Sequence, residues 1–297
     1  MASWLNPKNW LLGIGLLLWR MLSFLPTFTF RPLSKSLGWF VRRVLRFRVR
    51  IVEKNLALVA PEKTPEEREK ILKGVYASLG MMPFEIAMVW FSKKQRILKS
   101  SHFVGLDALN DVLATGQGVL LLAPHFTHLE ITAGILGQVV PLNVVYRAHK
   151  TPMFDAFVKS SRERILKKLL PREDVRGAAK VLKQGQVLWY APDQDYRHKM
   201  SVFAPFFGIN ASTIYAPARL VKMSGCAVFV MGARRDNGTY TITLNGPVEG
   251  LPAKTTEQSA AIINKAMQSV IVPSMDQYMW LHKRFKTRPE GEASVYE

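Results

Sequence analysis

Two side chains able to exchange a proton lie five residues apart in GVLLLAPHFTHLE, residues 118–130. Val119 to Ala123 form a short apolar run that breaks at Pro124 and delivers His125, and Glu130 follows at the start of a second apolar run. A buried strand that hands a histidine to a loop opening a helix is a common way to build an active site, because a rigid sheet positions the loop. The pattern H-x-x-x-x-E offers a base near neutral pH and a carboxylate able to hold its tautomer and stabilise the imidazolium. A charged Glu130 in so apolar a stretch must be paired or functional.

A second group repeats the design. The apolar run at 187–191 breaks at Pro192 and is followed by Asp193, Gln194, Asp195, Tyr196 and Arg197. A third run closes on Tyr146 and Arg147. In an open parallel sheet the carboxyl ends of strands face one crevice, so the three ends together would offer a base, carboxylates and a guanidinium. The aspartates also suit a turn or a helix cap. His128 raises a metal alternative, H-x-x-H-x-E, but no further ligand cluster accompanies it and the spacing is less diagnostic than H-E-x-x-H; no metal and no cofactor are expected. The sequence has no G-x-S-x-G elbow, no P-loop and no G-x-G-x-x-G fingerprint.

The elements that would carry these residues alternate. Strand-like runs fall at 118–123, 141–147, 187–191, 226–234 and 239–245, and helix-like runs at 128–137, 152–170, 174–184, 212–224 and 256–270. That order predicts an α/β fold with a mostly parallel central sheet flanked by helices. Upstream, Thr64 can cap a helix with Pro65 at its first position and Glu66 and Glu67 in its first turn. Residues 76–100 continue it and end on Lys93, Lys94, Arg96 and Lys99. The expected organisation is a membrane anchor with a basic juxtamembrane segment (1–50), then one α/β domain (51–297) whose first part, 51–100, is a helical lead-in.

The membrane expectation rests on charge and hydropathy. Residues 10–30 form the most apolar segment, interrupted only by Arg20 before Pro26; its length is near the ~20 residues of a spanning helix. No small-x-small cleavage site closes it, which reads as an uncleaved anchor. Residues 31–50 then hold Arg31, Lys35, Arg42, Arg43, Arg46, Arg48 and Arg50 with no acid among them, interleaved with Phe40, Val41, Val44, Leu45, Phe47 and Val49. Such clusters favour the cytoplasmic leaflet, at roughly 1 kcal/mol per charge near anionic lipid. The net charge of +19 implies acidic partners. The single cysteine, Cys226, sits in an apolar context and excludes an internal disulfide.

With APHFTHLE in place, the chain resembles the H-x-x-x-x-D/E acyltransferases of the glycerolipid type. WYAPDQDYR (189–197), SVFAPFFG (201–208) and QYMWLHKRFKTRPEG (277–291) narrow the resemblance to the late, lauroyl-type acyltransferases of lipid A biosynthesis, over nearly the whole chain. Glu130 stands where the wider superfamily has Asp, the form usual in the lipid A branch. The resemblance implies an acyl carrier protein thioester as donor and, as acceptor, the hydroxyl of a 3-hydroxyacyl chain on a Kdo-bearing lipid A precursor. The enzyme would sit at the bacterial inner membrane with its catalytic domain on the cytoplasmic face. His125 would then be the base and Glu130 its orienting acid. Arg147, backbone N–H groups near 124–127, Asp193, Asp195, Tyr196, Arg197 and the basic run Lys283, Arg284, Lys286 and Arg288 are candidates for the oxyanion and the acidic substrates. The alternatives are a lysophospholipid-type acceptor and a non-catalytic basic membrane-binding protein; nucleic acid is not an expected partner.

Overall fold

The structure, a computed structural model, describes residues 10–92, 101–196 and 200–296. Arg197 and the basic run Lys93, Lys94, Arg96 and Lys99 lie outside the described residues. The strands in chain order are β1 (Ser101–Val104), β2 (Val119–Leu122), β3 (Leu142–Tyr146), β4 (Lys168–Pro171), β5 (Val187–Tyr190), β6 (Ser201–Phe206), β7 (Ile209–Ile214), β8 (Ala227–Asp236) and β9 (Thr239–Asn245). Seven form one sheet in the order β1-β9-β8-β2-β5-β3-β4, while β6 and β7 pair as a separate antiparallel hairpin. From β8 to β4 all neighbours are parallel; β9 alone returns antiparallel to β8, and β1 follows β9. The mostly parallel α/β sheet expected from the alternation is the one observed. β2 and β5 are buried along their whole length, as continuous apolar runs require when helices cover both faces.

Among the described residues four helices precede the sheet: α1 (Trp10–Leu22), α2 (Thr27–Val44), α3 (Arg46–Val59) and α4 (Pro65–Phe91). Thr64 caps α4 in a reciprocal box with Glu67, with Pro65 at the first turn, which satisfies two orphan backbone donors. α2 lies against α4 so closely that a Cβ at Gly38 would meet the Tyr76 carbonyl at 2.3 Å and one at Gly80 the Ser34 carbonyl at 2.1 Å. Only glycine allows that approach. The Trp19 indole N–H donates to the Pro83 carbonyl at 2.7 Å and ties α1 to the same helix. Within the sheet region run α5 (Leu106–Ala114), α6 (Leu129–Leu136), α7 (Pro152–Glu163), α8 (Val175–Lys183), α9 (Ala216–Ser224) and α10 (Thr256–Ile271).

The structure departs from the sequence expectation in several stretches. The helix expected over 152–170 stops at Glu163, and Lys168–Pro171 form an edge strand ended by proline, a position where a missing N–H costs nothing. The helix expected from 212 starts at Ala216, because residues 209–214 belong to β7. Its hairpin turns through Phe207 (φ 52) and Gly208 (φ 76), the left-handed pair of a two-residue turn. The Phe207 ring, packed on Phe206 and Trp280, holds that conformation. β1 carried no pattern in its four residues long enough to read.

The described part of α1 has 13 residues, about 20 Å at 1.5 Å per residue, against a hydrocarbon layer of about 30 Å. Among the described residues α4 is the one helix long and apolar enough to cross a bilayer, but 56% of that apolar window is buried in protein, which makes it a core helix. Thirteen of the seventeen exposed large hydrophobic side chains among the described residues fall between Trp10 and Phe47. Trp39, Phe40 and Phe47 among them stand beside the exposed Arg43, Arg46 and Arg50.

Candidate functional site

β2 and β5 are neighbours in parallel register, Leu122 opposite Tyr190. Each continues through Ala-Pro, so the third residue past each strand end is again a matched pair: His125 and Asp193. The His125 Nδ1 lies 2.5 Å from Asp193 Oδ1, and the His125 backbone N–H donates to Oδ2 at 2.8 Å. Tyr278 donates its hydroxyl to the same Oδ2 at 2.8 Å. An ionised carboxylate only accepts, so Nδ1 carries the hydrogen, and in the neutral ring Nε2 keeps the lone pair. The Asp193 side chain is 1% exposed and that of His125 27% exposed. Burial pushes the Asp193 carboxyl up, but the His125 charge and these hydrogen bonds outweigh it and bring the pKa down to about 2. Burial likewise works against the imidazolium, yet the Asp193 charge and hydrogen bond raise the His125 pKa above the usual histidine value.

The C-terminal segment fixes the loop that presents His125. Thr127 N–H donates to the Gln277 carbonyl and Met279 N–H to the His125 carbonyl, both at 2.9 Å, and Phe126 bridges to Tyr278. The Phe126 N–H is turned to the Pro124 carbonyl at 2.8 Å. The N–H groups of 125, 126 and 127 are therefore all engaged, and the expectation that backbone donors near 124–127 stabilise an oxyanion does not fit this conformation. His128 is buried, stacked on Phe126 and bonded to Gln277; burial, with Arg234 and Arg235 nearby, lowers its pKa to about 3 and keeps it neutral. No group of metal-binding side chains occurs among the described residues.

Glu130 occupies the first turn of α6, and its hydrogen bonds go to Trp90 and Arg162 rather than to His125. Its Oε1 accepts from Trp90 Nε1 at 2.7 Å and Arg162 Nε at 2.9 Å, and its Oε2 from Arg162 Nη2 at 2.6 Å. This two-pronged carboxylate–guanidinium pair joins α6, α4 and α7. The expected orienting contact of Glu130 on His125 is thus made by Asp193, because His125 lies on the bend before the helix while Glu130 projects from the helix itself. Arg162 also stacks over the Tyr146 ring, 5.3 Å from its centroid, and Tyr146 in turn donates to Asp155 at 2.6 Å. Among the described residues Arg162 Nη1 makes no hydrogen bond.

His125, Glu130, Arg147, Arg162 and Tyr196 line one cavity of about 480 Å³ at the carboxyl ends of β3 and β5. Arg147, Lys150 and Arg172 give its mouth a positive charge, while Val89, Ala133, Gly134, Ile165 and Leu166 make its interior apolar. A Cβ at Gly134 would stand 3.1 Å from Val89. Asp193 lies beneath His125 rather than in the wall. Two expected substrate contacts lie elsewhere. Asp195 accepts from the Thr287 N–H at 2.6 Å and its hydroxyl at 2.9 Å, tying down the C-terminal tail. Arg284 is 2% exposed, and its guanidinium donates to the Ser212 carbonyl at 2.6 Å and the Thr213 hydroxyl at 3.0 Å over the Phe206 ring. It secures the β6–β7 hairpin, out of reach of a substrate phosphate. Tyr278, Trp90 and Arg162 were not singled out from the sequence. A usable signal did exist: the repeated A-P-H and A-P-D endings marked two neighbouring strand ends.

Over residues 2–287 the chain matches the family described as bacterial lipid A biosynthesis acyltransferase. It is 39% identical to the lipid A biosynthesis lauroyltransferase of Escherichia coli (strain K12), over 98% of this chain and 96% of that one. The lipid A biosynthesis palmitoleoyltransferase of the same strain is 36% identical, over 99% and 97%. A solved structure, the 1-acyl-sn-glycerophosphate acyltransferase PlsC from Thermotoga maritima, aligns with TM-score 0.39 and 13% identity over 82% of this chain and 95% of that one, too distant to bear on either fold or function.

Proposed function

The chain belongs to the bacterial lipid A biosynthesis acyltransferase family, and on that premise we propose that it moves a fatty acyl chain from an acyl carrier protein thioester to the hydroxyl of a 3-hydroxyacyl chain on a Kdo-bearing lipid A precursor. The observation that carries the reading is the His125–Asp193 pair, with His125 in the wall of a cavity that has an apolar interior and a cationic mouth. His125 Nε2 takes the proton of the acceptor hydroxyl as its oxygen attacks the thioester carbonyl. Asp193 holds the tautomer and stabilises the imidazolium, the role of the carboxylate in a hydrolase triad. The C–S bond then breaks, and the departing thiolate takes the proton from the imidazolium. No covalent enzyme intermediate is needed.

Negative charge on the tetrahedral oxygen calls for a donor. Arg162, held by Glu130 and with Nη1 unspent, supplies one, and Arg147 at the mouth supplies another. Glu130 then acts through Arg162, which explains its place in the H-x-x-x-x-E motif without contact to the base. The acyl chain occupies the apolar interior beside Gly134. The exposed apolar and basic faces of α1 and α2 suit a helix pair seated in the headgroup layer of an anionic membrane, the cytoplasmic face of the inner membrane, where carrier protein is available.

The test is transfer from a set of acyl carrier protein thioesters to the tetraacyl precursor, comparing native protein with folded His125→Ala and Asp193→Asn. Transfer by the native protein that collapses in both supports the reaction and the pair together. Full activity in His125→Ala sinks the mechanism, and transfer to lysophospholipid alone moves the assignment to that acceptor.

A further inference from the structure

A second cavity, about 710 Å³, opens on the other side of the His125 loop, between α2, α4 and the β8–β9 turn. Its cations are Arg31, Lys35, Arg234 and Arg235, and its acids Asp236 and Asp276. Both acids are taken by Arg234, at 3.0 Å each, and Arg235 is paired with Glu85 behind the wall. Arg31 and Lys35 are left exposed and without an ion pair among the described residues. They lie four residues apart on α2, which places their stems about 5–6 Å apart on one helix face, a spacing two cations need to share one phosphate. The glycine contacts of Gly38 and Gly80 fix α2 on α4, so the pair is presented rigidly.

The apolar lining gives the rest of the ligand. Phe28, 79% exposed, Met81 and Met88 border the same cavity, so a group entering it brings both an anion and hydrocarbon. Its inner wall backs onto the catalytic loop: Ser78 is 2.5 Å from the Thr127 hydroxyl, two residues from His125, and Gln277 adjoins Tyr278, the partner of Asp193. General attraction to a charged bilayer requires only surface cations. A walled cavity beside the reaction centre fits a lipid that enters that centre.

We propose that this cavity is a phosphate site for the acceptor lipid, with Arg31 and Lys35 neutralising a sugar phosphate and Phe28 and Met81 receiving the adjacent acyl chain. The inference rests on the acyl transfer proposed above and adds to it a recognition site remote from the base.

The test uses the full-length Arg31→Ala/Lys35→Ala protein in mixed micelles, with the precursor in phosphorylated and enzymatically dephosphorylated forms. Binding to vesicles containing phosphatidylglycerol is measured in parallel. The expected result is a KM for the phosphorylated acceptor raised at least tenfold, about 1.4 kcal/mol at 1.36 kcal/mol per decade, from the loss of two charge-assisted contacts. The KM for the thioester and the turnover of the dephosphorylated acceptor should not change. An equal rise for both acceptors, or a rise that merely follows weakened vesicle binding, overturns the proposal in favour of bulk membrane attachment. If the native protein transfers nothing, the functional reading fails separately. Equilibrium binding of the phosphorylated precursor in detergent then decides the site, and equal affinity of native and variant protein rejects it.

Discussion

Replacing Asp193 with Asn tests the site at the point where its geometry is tightest. Asp193 accepts three hydrogen bonds: the His125 backbone N–H and the Tyr278 hydroxyl on Oδ2, and the His125 ring on Oδ1. An asparagine has one carbonyl oxygen, and the two donors at Oδ2 claim it. Its NH2 group then faces Nδ1, which must become the acceptor, and the ring hydrogen moves to Nε2. The base is lost although nothing has moved. In the Ser-His-Asp hydrolases the same exchange costs about 10⁴ in kcat, or about 5.4 kcal/mol at 1.36 kcal/mol per decade. A fall of about 10³–10⁴ in transfer is expected here, measured by mass spectrometry of the acylated product. The pH profile adds a second readout. The carboxylate raises the His125 pKa, so native transfer is lost as pH falls through a value above the usual ~6.5. Without it burial acts alone, and the acid limb of the residual activity moves to lower pH. A kcat within about threefold of native, or an unmoved acid limb, would refute the reasoning.

Further outcomes follow from the same contacts. Glu130→Gln leaves the Arg162 charge partly buried without a counter-charge, at a cost near the low end of the roughly 3–5 kcal/mol for a broken buried pair. Differential scanning calorimetry should show Tm lower by roughly 5 °C, while the acid limb stays in place because Glu130 makes no hydrogen bond to His125. The stability difference between native protein and Asp193→Asn should be greatest between about pH 4 and 6.5. The lowered Asp193 pKa contributes stability that is lost as pH falls toward about 2. The raised His125 pKa contributes stability that is lost as pH rises through its folded value. Gly134→Leu intrudes on Val89 and the cavity interior, so thioester competition should shift at least tenfold toward shorter chains, a methylene in an apolar pocket being worth about 1–3 kcal/mol. Reversing Arg43 and Arg46 to Glu should weaken binding to anionic vesicles by at least tenfold in a flotation assay, at roughly 1 kcal/mol per charge.

Local pattern alone determined much of this protein. The apolar runs of β2, β3, β5, β8 and β9, the capped start of α4 at Thr64 and the strand-end placement of His125, Arg147 and Asp193 are all consequences of neighbouring residues, so they can be read along the chain. The family blocks were legible for the same reason. Tertiary structure decided which carboxylate serves the histidine. Glu130 is five residues away in sequence, but the helix carries it to Arg162 and Trp90. Asp193 is 68 residues away, and the parallel register of β2 and β5 sets it against the ring. Arg284 was equally undecidable: a basic residue in a basic run becomes an internal strut only when the β6–β7 hairpin folds over it. Sequence spacing measures distance along a chain, whereas proton transfer depends on distances of about 3 Å in space, and in a parallel sheet those distances are set by strands far apart in the chain.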